Sequence, residues 1–555
     1  MIKGGIHPNT EKIIPPCWGV ILLLAAFFAL YEPWFLGSSD FYRQEGLFAA
    51  ITQEISRTSP MCSAHGIFLQ GYAPLFPWIG KILTGITGMD TVFTLRLVSV
   101  FMTLATGVLI LISVWRARNF TAAAMAAAMF WGSNVVIEKS MNAMPTSTVM
   151  FGLLSAQLCW IYVGQKRGSW SWAWGAALPI LALTFLAGGY QPVLLFFVPM
   201  IFLRRPLTLW PKLTKPGMLA GLFFLAAAAI WTMPHLAAGS MPVQHWQPNL
   251  DLGKYLTHLW QFPLDFAVRF LPWNIFLFAP FCVALQTRDA TPIFSKYLRT
   301  IALSTFFMLW LTPGGNIQDL LFIAAPLSML CGMYYDAAVT RYAPRLRWLI
   351  NRAGGLFVFI TAMAILLFCV LPEQTLQTLC DLDAPIAFRQ TLLYQGAALT
   401  VGVLLLILAG HIAWGNQHKP LWCNMLMITL SFGAFFYLVM FPYRIQDQDT
   451  RNMAKELALT LAKDRKNAPG QATVYKYNIS DLYGECSLMN ARVRKIYDLE
   501  QLPYKEDTVY LLGTAFPQQP DRDWTNLLPA DRTYNGRRIC LWKGVLRRDE
   551  LEGNQ

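Results

Sequence analysis

Charge is what this chain has least of. Of its 555 residues only 14% are Asp, Glu, Lys or Arg, while 55% are hydrophobic. A soluble globular domain carries about 25% charged residues, so the shortage excludes that class and points to an all-α polytopic membrane protein. Acids are the scarcer sign, 31 against 44 bases. The basic excess does not imply nucleic acid, because it sits in short clusters between apolar runs, the pattern that orients membrane spans. Compact cysteine motifs are missing too. The ten cysteines are scattered, with no CxxC pair and no Cys/His cluster, which leaves no structural metal to expect. Internal repeats are absent, and intramembrane charges are few, which weakens a transporter reading. The first apolar run, Cys17 to Tyr31, lacks a small-residue cleavage site and reads as an anchor.

What is present is a succession of apolar runs. Thirteen are expected to span a membrane: 15–35, 92–114, 120–137, 146–164, 171–188, 190–203, 216–234, 269–287, 300–313, 319–337, 354–372, 392–413 and 421–442. Alternate loops carry the bases, among them Arg116 and Arg118, Lys166 and Arg167, Arg204 and Arg205, and Arg341, Arg345 and Arg347. Their alternation places the amino terminus in the cytoplasm and the carboxyl terminus outside. Residues 1–442 are thus expected to form a membrane domain. From Tyr443 the composition becomes that of a small soluble domain, and 443–555 is expected to be an extracytoplasmic α/β appendage. Helix is predicted over Asn452 to Ala462 and Ile479 to Met489, and strand over 472–477, 508–513 and 539–542. Cys486 and Cys540 both fall in this tail, where a disulfide between them would persist.

The longest polar break in the first half lies at 36–91. It holds Asp40, Tyr42, Arg43, Gln44 and Glu45, followed by Phe48, Ala49, Ile51 and Ile55 at helical spacing. The spacing predicts a surface helix there and a second from Pro74 to Leu83. Long loops on one face, with only short basic loops on the other, put the chemistry on the outer face.

The whole chain resembles the polyprenyl-phosphate-sugar glycosyltransferases of the GT-C fold, and is similar in pattern to the bacterial lipid A aminoarabinose transferases and their protein O-mannosyltransferase relatives. That family's first-loop pattern, D-E-x-R-Y-A-E-I-x-R-E-M, falls on Gln44 to Ile55; its F-L-P-W falls on Phe270 to Trp273. Its L-P-x-x-P-A span is similar to Ala324-Ala325-Pro326-Leu327. The departures fall at polar positions. The leading Asp is Gln44, the E-K-P turn is Gly71-Tyr72-Ala73-Pro74, the Asp of the second loop is Asn142, and the later Lys-Gly corresponds to about Gln191-Pro192. The resemblance implies a bacterial inner-membrane enzyme that moves a sugar from a polyprenyl-phosphate carrier to a lipid A, glycan or protein acceptor. A non-catalytic relative that binds lipid-linked glycan or a partner is the alternative.

Such transfer needs a carboxylate to take the acceptor hydroxyl's proton and cations for the leaving phosphate. Candidate bases are Asp40, Glu45 and Glu138; helix capping or a solvated span end would explain each equally as structure. Arg43 and Arg269 are the candidate phosphate ligands, since a guanidinium grips phosphate as a fork. Tyr72, Trp246, Trp260 and Trp273 are candidate sugar platforms, and Asn142, Gln191, His258, Gln318 and Asp319 are candidate polar contacts. A divalent metal held by His235, His245, His258 and Glu45 lacks a compact ligand spacing, so no cofactor is expected.

Overall fold

The computed structural model describes residues 27, 44–55, 61–69, 71–203, 215–237, 252–287, 289–312, 317–372, 375–376, 392–414, 421–442, 450–465, 473–479, 482–489, 491–503, 506–519, 521–529, 533–534 and 537–547. Asp40, Arg43, His245, Trp246 and most of the predicted 15–35 span lie outside them. The chain divides into two compact units. A helical unit comprises Met1–Trp34, Ser99–Met141 and Pro145–Tyr443; a mixed unit comprises Phe35–Val98, Asn142–Met144 and Arg444–Gln555.

Among the described residues seven helical stretches are long and apolar enough to cross a membrane: Thr91–Ala117, Thr146–Arg167, Trp170–Gly188, Lys215–Ala237, Ile317–Val370, Tyr394–Ala413 and Leu421–Met440. Shorter apolar helices occupy Phe120–Trp131 and Tyr190–Ile201, and Pro292–Leu311 carries the predicted 300–313 run. Without water to drive apolar association, membrane helices pack through small residues. Alanine-rich Phe120–Trp131 does so against Leu321–Leu349. A Cβ on Gly332 would stand 2.5 Å from the Cβ of Ala126, so only glycine allows that approach.

Two expectations fail here. The predicted span 269–287 is not one helix. Leu252–Arg269 ends at Arg269, and Trp273–Phe276 and Ala279–Phe281 follow as 3-10 turns, with a bend of 102° between Tyr255–Arg269 and Trp273–Phe281. Pro272 and Pro280 remove the N–H groups that a continuous helix would use. The predicted loop between 319–337 and 354–372 is instead helical: Leu321–Leu349 kinks at Tyr342, two residues before Pro344, and a π-helical turn, Ile350–Gly354, leads into Gly355–Val370.

The mixed unit is built on strands β1 (Ser63–Ala64), β2 (Ile67–Phe68), β3 (Thr473–Tyr477), β4 (Arg492–Ile496), β5 (Thr508–Gly513), β6 (Arg522–Asn526), β7 (Thr533–Tyr534), β8 (Arg537–Arg538) and β9 (Cys540–Leu546). Five form one sheet in the order β4-β3-β5-β9-β6, with β3 parallel to both neighbours and β9 antiparallel to β5 and β6. One face is covered by Met453, Leu457 and Leu461 of helix Thr450–Asp464 and by Cys486 of helix Tyr483–Leu488, packed on Val474, Leu512 and Leu541. The expected disulfide does not form: Cys486 and Cys540 are both free and buried. The alternation of side chains along β9 explains it. Ile539 and Leu541 join Cys486 in the core, so Cys540 between them projects from the opposite face.

Both predicted loop helices are present, as Glu45–Glu54 and Leu75–Thr87. The first packs on Tyr483–Leu488 of the tail, a pairing nothing in the sequence announces. Gly46 is the contact point: a Cβ there would lie 2.4 Å from the backbone nitrogen of Gly484. Gln53 donates from Nε2 to the Ser487 carbonyl at 2.9 Å. The hairpin β1–β2 adds a second attachment. Its turn residues, His65 and Gly66, both have positive φ, 56° and 76°, as a tight two-residue hairpin requires. Their N–H groups donate to the two carboxylate oxygens of Glu54, and the His65 carbonyl accepts from the Lys495 N–H at 2.8 Å. The His65 ring stacks on Tyr483, 4.9 Å between centroids, and is 3% exposed. Burial, then the nearby Lys476 and Lys495, pushes its pKa down to about 3.

Replacing Gly46 with alanine should therefore overpack the loop–tail contact and cost the protein about 1–3 kcal/mol, read as a fall in thermal midpoint and faster proteolysis of the tail. The His65 contact carries a pH signature. Its folded pKa lies below the ordinary 6.5, so the unfolded chain binds more protons. Stability from this group is complete above 6.5 and is lost as pH falls toward 3, by up to about 1.4 kcal/mol per unit. Burial raises the pKa of Glu54, which acts in the opposite sense. Comparison with His65→Asn, whose side chain tolerates positive φ, isolates the histidine: the variant should lose stability less steeply between pH 6.5 and 3.

Candidate functional site

Two buried ionic clusters hold the described candidate acids. The first belongs to the mixed unit. Glu45 opens the first loop helix and is 1% exposed. Arg96, in the first turns of Thr91–Ala117, grips it as a fork: Nη2 lies 2.6 Å from Oε2 and Nε 3.3 Å from Oε1. The Ala143 N–H also donates to Oε1, at 2.6 Å. Neighbouring Asn142 accepts the Met144 N–H on its carbonyl at 2.7 Å, and its buried Nδ2 has no partner among the described residues. Glu45 thus joins the loop helix, a span and the 142–144 turn. Its carboxylate is engaged on both oxygens, an arrangement that positions chain segments. Gln44, one residue earlier, is exposed.

The second cluster belongs to the helical unit. Glu138 lies in the short helix Asn134–Lys139 and is 6% exposed. Lys139 Nζ is 2.9 Å from its Oε1, and Arg269 pairs with its Oε2. Arg269 is the last residue of its helix, immediately before the break. The Asn134 N–H donates to the Leu271 carbonyl at 3.1 Å, which pins the broken segment to the start of the Glu138 helix. Arg269 keeps 22% of its side chain exposed.

The remaining candidates disperse over several elements. Gln318 accepts from the Thr146 hydroxyl at 3.3 Å, and Asp319 shares its 3-10 turn, Ile317–Leu320. Gln191 is half-buried in the first turn of Tyr190–Ile201. His258 is half-buried on Leu252–Arg269, its ring 5.4 Å from that of Phe262. Tyr72 meets Phe48 edge-on at 5.8 Å, and burial, then Tyr483 and Cys62, pushes its pKa up to about 12. Trp273 cannot serve as a sugar platform: it is 2% exposed and closes on Gly132, whose Cβ would meet the indole at 2.7 Å. Among the described residues no three His, Cys, Asp or Glu side chains gather as a metal site. Sequence reasoning missed Arg96 and gave Lys139 no role. An arginine inside an apolar run was the available signal, since such charges are expensive and are held for a purpose.

No family model matches the chain, and no curated protein matches it. Solved structures do. ArnT from Cupriavidus metallidurans bound to undecaprenyl phosphate is 12% identical, with a TM-score of 0.66 over 96% of this chain and 98% of that one. The apo state of the same protein gives 0.68 at 12% identity, over 95% and 98%. At that identity the likeness speaks to the fold, and the chain has the GT-C fold.

The Glu45 cluster yields a direct test. Removing one partner of a buried pair strands the other charge, at about 3–5 kcal/mol. Glu45→Gln should therefore destabilise the protein by that amount. Glu45→Gln combined with Arg96→Gln should recover part of the loss in a double-mutant cycle followed by thermal unfolding. Additivity of the two single changes would mean that the pair does not hold the segments together.

Proposed function

We propose that this GT-C chain is a multi-pass membrane glycosyltransferase of the bacterial inner membrane. It takes a sugar from a polyprenyl-phosphate carrier to a lipid, glycan or protein acceptor on the outer face, where the tail lies. The observation that carries this reading is the Glu138–Lys139–Arg269 cluster beside a broken membrane helix. A guanidinium and an ammonium converging on one point are the donor set a phosphate needs. In a water-poor setting they stabilise charge far better than they would in bulk solvent. The fold supports the same reading, since the similar ArnT structure is bound to undecaprenyl phosphate.

In the proposed step the acceptor oxygen attacks the anomeric carbon and its proton passes to a carboxylate. The bond from that carbon to the phosphate oxygen breaks, and the electron pair leaves with the phosphate, held by Lys139 and Arg269. Asp40 and Glu138 are the carboxylates proposed as base, with Arg43, Asn142 and Asp319 proposed to line the donor. Glu45 acts as a positioning residue. One observation favours the second reading, a binding protein without turnover: both described candidate bases, Glu45 and Glu138, are already in ion pairs.

Arg269→Ala and Lys139→Ala should each weaken binding of undecaprenyl phosphate by roughly 10- to 100-fold, the worth of one charged hydrogen bond. Titration of the detergent-solubilised protein measures this. Asp40→Asn or Glu138→Gln should lower transfer by roughly 100- to 10,000-fold in an assay with undecaprenyl-phosphate sugars. Full binding by a wild-type protein that turns over no such donor would establish the second reading, and unchanged binding in both cation variants would remove the phosphate assignment.

A further inference from the structure

The face of the tail sheet opposite its helices is built differently. It carries Tyr475, Val509 and Leu511, with Trp524 and Trp542 packed against them. Trp524 on β6 stands across from Gly544 on β9, and Asn526 across from Trp542. The two indoles are therefore diagonal neighbours on one face. Gly544 makes the space: a Cβ there would meet the Trp524 ring at 2.7 Å. Phe516 stands edge-on to Trp542, 5.1 Å between ring centroids, and remains 59% exposed.

Phe516 and Trp524 border a cleft of about 540 Å³ whose lining also includes Gln518, Gln519, Asp523 and Arg547, a volume within the range of small-molecule sites. Its polar groups are unusual. Gln519 spends its Nε2 on the Leu499 carbonyl at 3.4 Å, while its Oε1 is buried with no partner among the described residues. The Trp524 Nε1 is likewise buried without a partner among them. Buried donors and acceptors are nearly always satisfied, so two unmet groups beside one cleft mark it out. At the rim Arg547 donates from Nε to Asp523 at 2.7 Å, and both side chains are about half exposed or more.

An exposed aromatic face, a carbonyl acceptor, an indole donor and an Arg–Asp pair in one open cleft match the chemistry of a pyranose. A sugar ring has C–H faces that lie on aromatic rings and hydroxyls that both donate and accept. We propose that this cleft binds a saccharide, with Phe516 as the platform, Gln519 and Trp524 as the inner polar contacts and Asp523 with Arg547 as the outer ones. The inference goes beyond the transferase reading and does not depend on it, because sugar binding is measured without any transfer.

The test uses the full-length protein in a detergent without a sugar headgroup, with maltotriose, cellotriose and N,N′-diacetylchitobiose as probes in saturation-transfer difference NMR. At least one should receive saturation at its ring C–H protons, with an affinity on the order of 1 mM. Phe516→Ala should weaken that affinity about tenfold and Phe516→Tyr should keep it. Because Phe516 is exposed, the thermal midpoint should not move. Trp524→Phe, which keeps a ring and removes the donor, should weaken binding about tenfold as well. Absence of saturation for all three sugars, or saturation that Phe516→Ala leaves unchanged, overturns the proposal.

Discussion

The buried pair of Glu45 and Arg96 is the constraint on which the mixed unit depends. An arginine four per cent exposed and a glutamate one per cent exposed pair as a fork, and the Ala143 N–H donates to the same carboxylate. The consequence is geometric. Three segments far apart in sequence, the first loop helix, the start of a span and the 142–144 turn, are held at one point. From there the loop helix can present Gly46 to Gly484, and the β1–β2 hairpin can lay His65 on Tyr483. Residues that read as an independent outer loop are thus part of the same folded body as the tail.

Three of the described acids have definite tasks. Glu45 fixes segments, Glu54 fills the pair of N–H groups in the hairpin turn, and Glu138 collects two cations. Of the three, the Glu138 cluster has the partly accessible member, Arg269, and stands beside a broken helix. An irregular backbone at membrane depth is tolerated only where protein buries it or it lines a cavity. Hence the phosphate assignment rests there and not on the first loop.

The two faces of the tail sheet divide labour in a comparable way. One is sealed by helices Thr450–Asp464 and Tyr483–Leu488 with aliphatic side chains. The other mixes aliphatic with aromatic side chains, and on it the Trp524 indole leans over Gly544.

What the sequence determined by itself were the features that depend on local composition: the membrane class, the main apolar helices, both loop helices and the central strands β3, β5 and β9. Each is written in periodicity that neighbours in sequence can read. The edge strands β4 and β6, RVRKI and RDWTN, carry no such signal, because an edge strand buries less and tolerates charge. Only the tertiary structure decided the rest. It set Arg96 on Glu45 and Arg269 on Glu138, and it put Cys486 and Cys540 on opposite faces of one sheet. It also broke the 269–287 run and joined the first loop to the tail. The physical reason is common to all of these: ion pairs, thiol separation and glycine contacts are fixed by where distant backbone segments meet. A linear pattern records which residues are apolar, but not which of its few charges will share a site.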